Sequence, residues 1–203
     1  MRLYRFPFST NVERVALALA YKGLEIESVW IDPEDRAPVR EASGQDLVPV
    51  LEDDGEIVAD STRILEHLDA RFPDPPLYPR EEARRAEVVV FIDWFNRVWK
   101  RPPNEIEAEL SRDRPDEARI GELAGELTGS LDLFEAMLAG REHLMGEFSV
   151  ADCAAFPFLK YGVLHDSEDT EPFHGILVDN LPIGAAHPRV RAWIERVDER
   201  PRA

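Results

Sequence analysis

The sequence has 203 residues, of which 44% are hydrophobic and 32% charged, the ordinary balance of a folded globular chain. Its 41 acidic and 24 basic residues give a net charge of −17, which argues against an electrostatic grip on nucleic acid or on an anionic membrane surface. No apolar run of about 18 residues is present to span a bilayer, MRLYRFPF at the start has no leader-like apolar core, and a lone cysteine, Cys153, excludes an internal disulfide framework, so the expected location is cytoplasmic.

RLYRF (2–6) reads as a short strand. Val12, Val15, Ala16, Leu19 and Ala20 recur at helical spacing over 11–22, and Gly23 supplies a stop. IESVWI (26–31) alternates as a second strand, and the polar stretch PEDRAPVREASGQD (33–46) reads as a loop with a weak helix. Asp54-Gly55 between VPVLED and EIVAD is a hairpin signal, and STRILEHLDARF (61–72) is an amphipathic helix. PDPPLYP (73–79) carries four prolines in seven residues and reads as a semi-rigid linker between domains. Beyond it the pattern predicts helices only, over 80–100, 116–139, 149–163 and 188–199, with 164–187 as a long connection.

Several positions carry a chemical meaning beside a structural one. Ser9, Thr10 and Asn11 stand together where the first helix begins. Any of them can cap that helix. A hydroxyl donor at the positive end of a helix is also what holds a thiol as its thiolate. Val48-Pro49 opens a strand after an irregular loop, and Asp60-Ser61 opens a helix, with Ser61 as the expected N-cap. Free N–H groups at such a start bind a carboxylate. Ser149 and Asp152 form a capping-box variant, which places Cys153 on the core side of its helix. His165 and His174 bracket four acids in HDSEDTEPFH, which reads as a solvated loop rather than a metal site.

The layout and these patterns together resemble the cytosolic glutathione transferases over nearly the whole chain, while SGQDLVP (43–49) is also similar to glutaredoxins. The resemblance implies an α/β thioredoxin-like domain over 1–76 followed by an all-α helical domain over 77–203. It implies a serine-type active hydroxyl at Ser9, counted back from Arg14, or at Thr10 one step on, with Asn11 beside them. It also implies a cis Pro49 exposing the backbone of Val48 to the cysteinyl unit of glutathione, and Gln45 near the glycine carboxylate. Ser61 would take the γ-glutamyl carboxylate and Asp60 its amine, although the family usually has Glu or Gln at the latter position. Trp94, Arg97 and Trp99 would border the electrophile pocket. The expected partners are glutathione as co-substrate and a small electrophile, without nucleic acid or membrane, in a homodimer with no metal and no tightly bound cofactor. Two other readings stay open: a glutathione-dependent thiol–disulfide oxidoreductase, and a non-catalytic interaction module of the same fold.

Overall fold

In the computed structural model, which describes residues 1–203, strand β1 (Arg2–Arg5) leads through a short turn into α1 (Thr10–Tyr21). Strand β2 (Glu27–Trp30), α2 (Ala37–Ser43), β3 (Val50–Asp53), β4 (Glu56–Ala59) and α3 (Ser61–Arg71) follow. The strands form one mixed sheet in the order β2-β1-β3-β4, with β1 parallel to β2 and antiparallel to β3, and β3 antiparallel to β4. The β3–β4 turn uses Asp54 at φ 49° and Gly55 at φ 85°, the two left-handed residues such a tight hairpin requires. Leu3, Val15, Leu19, Val50, Leu51, Ile64 and Leu68 are fully buried, so β1, α1, β3 and α3 share one core.

This first compact unit comprises Met1–Arg80 and takes back Arg200–Ala203; the second is Glu81–Glu199. The proline-rich stretch 73–79 is pinned to the first unit by a buried lysine. Lys22 Nζ donates to Phe72 O at 2.6 Å and Pro75 O at 2.8 Å and lies 3.4 Å from Asp69 Oδ1. Asp69 Oδ1 in turn accepts from Leu77 N at 2.7 Å. The peptides preceding Pro49 and Pro75 are both cis.

The second unit is helical: α4 (Glu82–Trp94), α5 (Arg101–Leu110), α6 (Glu117–Gly129), α7 (Leu131–Met137), α8 (Val150–Leu159), α9 (Pro172–Asn180) and α10 (Pro188–Asp198). The helix expected over 80–100 ends in a π-helical turn, with Lys100 N–H bonding Phe95 O at 3.0 Å, and runs on into α5. Phe95 and Trp99 stack at 4.5 Å inside a cluster with Phe134 and Phe158. The Ser149–Asp152 capping box is formed, and Asp152 Oδ1 also accepts from Trp193 Nε1 at 2.8 Å. Cys153 is completely buried. No helix is long and apolar enough to cross a membrane.

Two expectations for the 164–187 stretch are corrected. It contains α9, whose Ile176 joins Ile106 and Leu123 in an apolar cluster. His174 is buried rather than solvated. Its Nδ1 lies 2.8 Å from Asp169 Oδ2, to which the Tyr161 hydroxyl also donates at 2.7 Å, and its ring stacks on Tyr161 at 4.5 Å. Burial alone raises the Asp169 carboxyl. The hydrogen bonds from Tyr161 and His174, the imidazole beside it and the Glu171 N–H outweigh that, so the net direction is below the ordinary carboxylate value.

Candidate functional site

The β1–α1 turn presents Ser9 as the N-cap of α1. Its backbone is extended, at φ −62° and ψ 113°, and its Oγ accepts from Val12 N at 3.3 Å. The cap uses a lone pair of the hydroxyl, so its proton remains to be donated. Thr10, the competing hydroxyl, is the first helical residue and is buried, whereas Ser9 is only half-buried. Phe8, immediately before Ser9, is held at φ 60°. A non-glycine residue there costs of order 1–3 kcal/mol and persists only where its surroundings fix it.

The start of α3 is built differently from the sequence expectation. Asp60, not Ser61, is the N-cap: its Oδ1 accepts from Thr62 N at 2.9 Å and Arg63 N at 3.1 Å. Ser61 is therefore the first helical residue. Both Asp and Ser are good caps, and the choice is made by the backbone of Asp60, which turns to φ 77°. Asp60 is exposed and its second carboxylate oxygen takes no part in the cap.

The two helix starts are brought together. Ser61 Oγ lies 3.5 Å from Asn11 Oδ1 and accepts from Arg14 Nη1 at 3.5 Å. Arg14 is 1% exposed, a buried guanidinium on α1 that reaches the first residue of α3. From sequence alone Arg14 serves only to fix the register of Ser9. The available signal was an arginine lying between Val12 and Val15 on the apolar part of the helix.

Val48 and Pro49 are buried ahead of β3. Gln45 folds back on its own loop, accepting from Leu47 N through Oε1 at 2.6 Å and donating to Leu47 O through Nε2 at 2.7 Å. Both ends of its amide are thus engaged in shaping the segment before Val48. In the second unit Trp99 is core, with Nε1 donating to Ser130 Oγ at 2.8 Å; Trp94 is half-buried, and Arg97 is exposed and paired with Asp93 at 2.6 Å.

The chain matches the family models for the glutathione S-transferase N-terminal domain over residues 3–76 and the glutathione S-transferase C-terminal domain over residues 106–201. It is 31% identical over 156 residues to a stringent starvation protein A homolog of Haemophilus influenzae, covering 72% of this chain and 67% of that protein. It is 29% identical over 203 residues to glutathione S-transferase GstB of Escherichia coli K12, covering 95% and 90%. Among solved structures, the β-etherase LigF of Sphingobium sp. strain SYK-6 superimposes with a TM-score of 0.82 at 22% identity, over 98% of this chain and 95% of that one, a likeness of fold.

Proposed function

Because the chain belongs to the cytosolic glutathione S-transferase superfamily, we propose that it is a serine-type glutathione transferase in which Ser9 holds the glutathione thiol as its thiolate for attack on a small electrophile. The observation that carries this reading is the pair of adjoining helix starts, each with an outward polar group. At α1 the half-buried Ser9 keeps a donatable proton while Thr10 is buried. At α3 the Asp60 cap takes the N–H groups of Thr62 and Arg63, which leaves that of Ser61 to the γ-glutamyl carboxylate and the second oxygen of Asp60 to the amine. Val48 offers its backbone to the cysteinyl unit as an added strand would, and Gln45 holds the loop in which Val48 sits. Arg14, buried on α1 and in contact with Ser61 at the start of α3, offsets locally the −17 charge that would otherwise repel an anionic tripeptide.

In this mechanism the Ser9 hydroxyl donates to the thiolate sulfur, and the partial positive charge at the start of α1 adds to it. Lowering the thiol by about two pKa units corresponds to about 2.7 kcal/mol, within reach of one charge-assisted hydrogen bond plus a helix terminus. The thiolate then forms a bond to the electrophilic centre, which expels its leaving group or takes up a proton from water. An isomerase would use the same thiolate. A protein mixed disulfide is disfavoured, because the lone thiol, Cys153, is buried inside α8. A homodimer fits the exposed Val89 and Val90 on α4, 50% and 68% accessible.

Calorimetric titration with glutathione, beside other low-molecular-weight thiols, tests the reading. Binding in the micromolar to millimolar range is expected for glutathione. No binding of any thiol would leave the fold without this function.

A further inference from the structure

The turn that carries Ser9 runs from the end of β1 at Arg5 to the start of α1 at Thr10. Both of its flanks are held by residues almost two hundred positions later in the sequence. On the helix side, the Arg202 guanidinium reaches Glu13 Oε1 through Nη2 at 2.9 Å and Nε at 3.3 Å, and Ala203 N–H donates to Ala16 O at 3.2 Å. On the strand side, Arg5 Nη1 donates to the Ala203 backbone oxygen at 2.7 Å, with its guanidinium 4.7 Å from the ring of Trp30. The ion pair is largely shielded, its side chains being 24% and 15% exposed. Such a pair is weakly screened by salt and geometrically specific.

A short segment therefore bridges the two ends of a turn whose third residue, Phe8, sits in a costly left-handed conformation. That conformation needs its flanks fixed if it is to persist. We propose that residues 200–203 staple the Ser9 turn, and that Arg202 is a positioning residue for the glutathione thiol. Arg202 does not touch the thiol in this scheme. It acts through Glu13, one turn along α1 from Ser9, by keeping the helix start and the strand end at the separation that aims the Ser9 hydroxyl. It also neutralises a carboxylate that would otherwise oppose a nearby thiolate.

The proposal rests on the glutathione reading above, and the test separates the two. Hydrogen exchange of the amides over residues 8–12 is compared in wild type, Arg202→Ala and Arg202→Lys, together with the pKa of bound glutathione read from thiolate ultraviolet absorbance. In Arg202→Ala, exchange is expected to quicken about tenfold and the bound thiol to rise by roughly one pKa unit, so that the thiolate fraction near neutral pH falls several-fold. Arg202→Lys, which keeps a cation within reach of Glu13, is expected to recover most of both. Unchanged exchange over 8–12 in Arg202→Ala overturns the staple, as does a bound-thiol pKa that stays put while only the melting temperature falls. Should wild type bind no thiol, the functional reading fails by calorimetry, and the exchange measurement still decides the staple.

Discussion

Ser61 Oγ lies 3.5 Å from Asn11 Oδ1, a contact that joins the first residue of α3 to the first turn of α1. In the proposed site this contact would set the spacing between the thiol end and the γ-glutamyl end of the ligand. At 3.5 Å the bonds of the Ser61 hydroxyl are long, and their loss should cost the fold little. Ser61→Ala keeps the backbone N–H proposed for the γ-glutamyl carboxylate and removes only the hydroxyl that joins the two helix starts; it is expected to melt within a few degrees of wild type while its glutathione dissociation constant, through the lost spacing, rises about tenfold, or about 1.4 kcal/mol. Calorimetry and a thermal scan on one preparation check both halves.

Asp60 combines a cap, a charge and a left-handed backbone. Asparagine can supply the cap and tolerates φ 77°, but carries no charge. Asp60→Asn should therefore change stability by less than about 0.5 kcal/mol and weaken glutathione about tenfold through loss of the ion pair with its amine. Glutathione lacking a free amine should bind the two proteins equally. Preferential binding of that analogue to wild type would remove Asp60 from the amine.

Lys22→Met tests the anchor of the proline-rich stretch. The variant leaves Phe72 O and Pro75 O without their donor and strips Asp69 of its cation in a buried setting. The expected cost is about 3 kcal/mol, read by denaturant unfolding, with glutathione affinity per folded molecule preserved. A loss below about 1 kcal/mol would mean that the stretch is held by Leu77 and Tyr78, both buried, rather than by the lysine.

Asp169 gives a pH dependence with a fixed sign. Its carboxyl lies below the ordinary value of 3.8, so the folded chain binds that proton less tightly than the unfolded chain. The stabilisation is complete above the ordinary carboxylate range and fades as the pH falls through the lowered value. The stability gap between wild type and Asp169→Ala should be about 3 kcal/mol near neutrality, hold down to about pH 5, and narrow below pH 4. A gap that stays constant into acid would contradict the assignment of this shift to Asp169.

The first unit was largely legible because its signals are local. Asp54-Gly55 fixes a hairpin by its own backbone preferences, and Val12, Val15 and Leu19 mark α1 by spacing alone. What was not legible depends on partners outside any local window or on backbone angles that the residue types do not specify. His174 reads as solvent-facing among acids; it is Tyr161, thirteen residues earlier, that makes a buried site for it with Asp169. Helix α9 carries Gly175 in its middle and owes its apolar cluster to Ile106 and Leu123, which no local window joins to Ile176. The cap of α3 fell to Asp60 because of a backbone angle that the dipeptide Asp-Ser does not specify. The contacts of Arg202 and Ala203 with α1 and β1 are the extreme case, with sequence separations of 189 and 198.

Whether the Ser9 hydroxyl holds the thiolate is decided by the pKa of enzyme-bound glutathione in Ser9→Ala, with Thr10→Ala as control. Loss of the cap should cost about 1 kcal/mol of stability, and glutathione affinity should stay close to wild type. In Ser9→Ala the bound thiol should return toward its solution value, a rise of up to about two units, and turnover at neutral pH should fall about 100-fold; Thr10→Ala should leave the bound-thiol pKa unchanged. A bound-thiol pKa that is the same in wild type and Ser9→Ala, or one that moves only in Thr10→Ala, would take the thiolate away from Ser9.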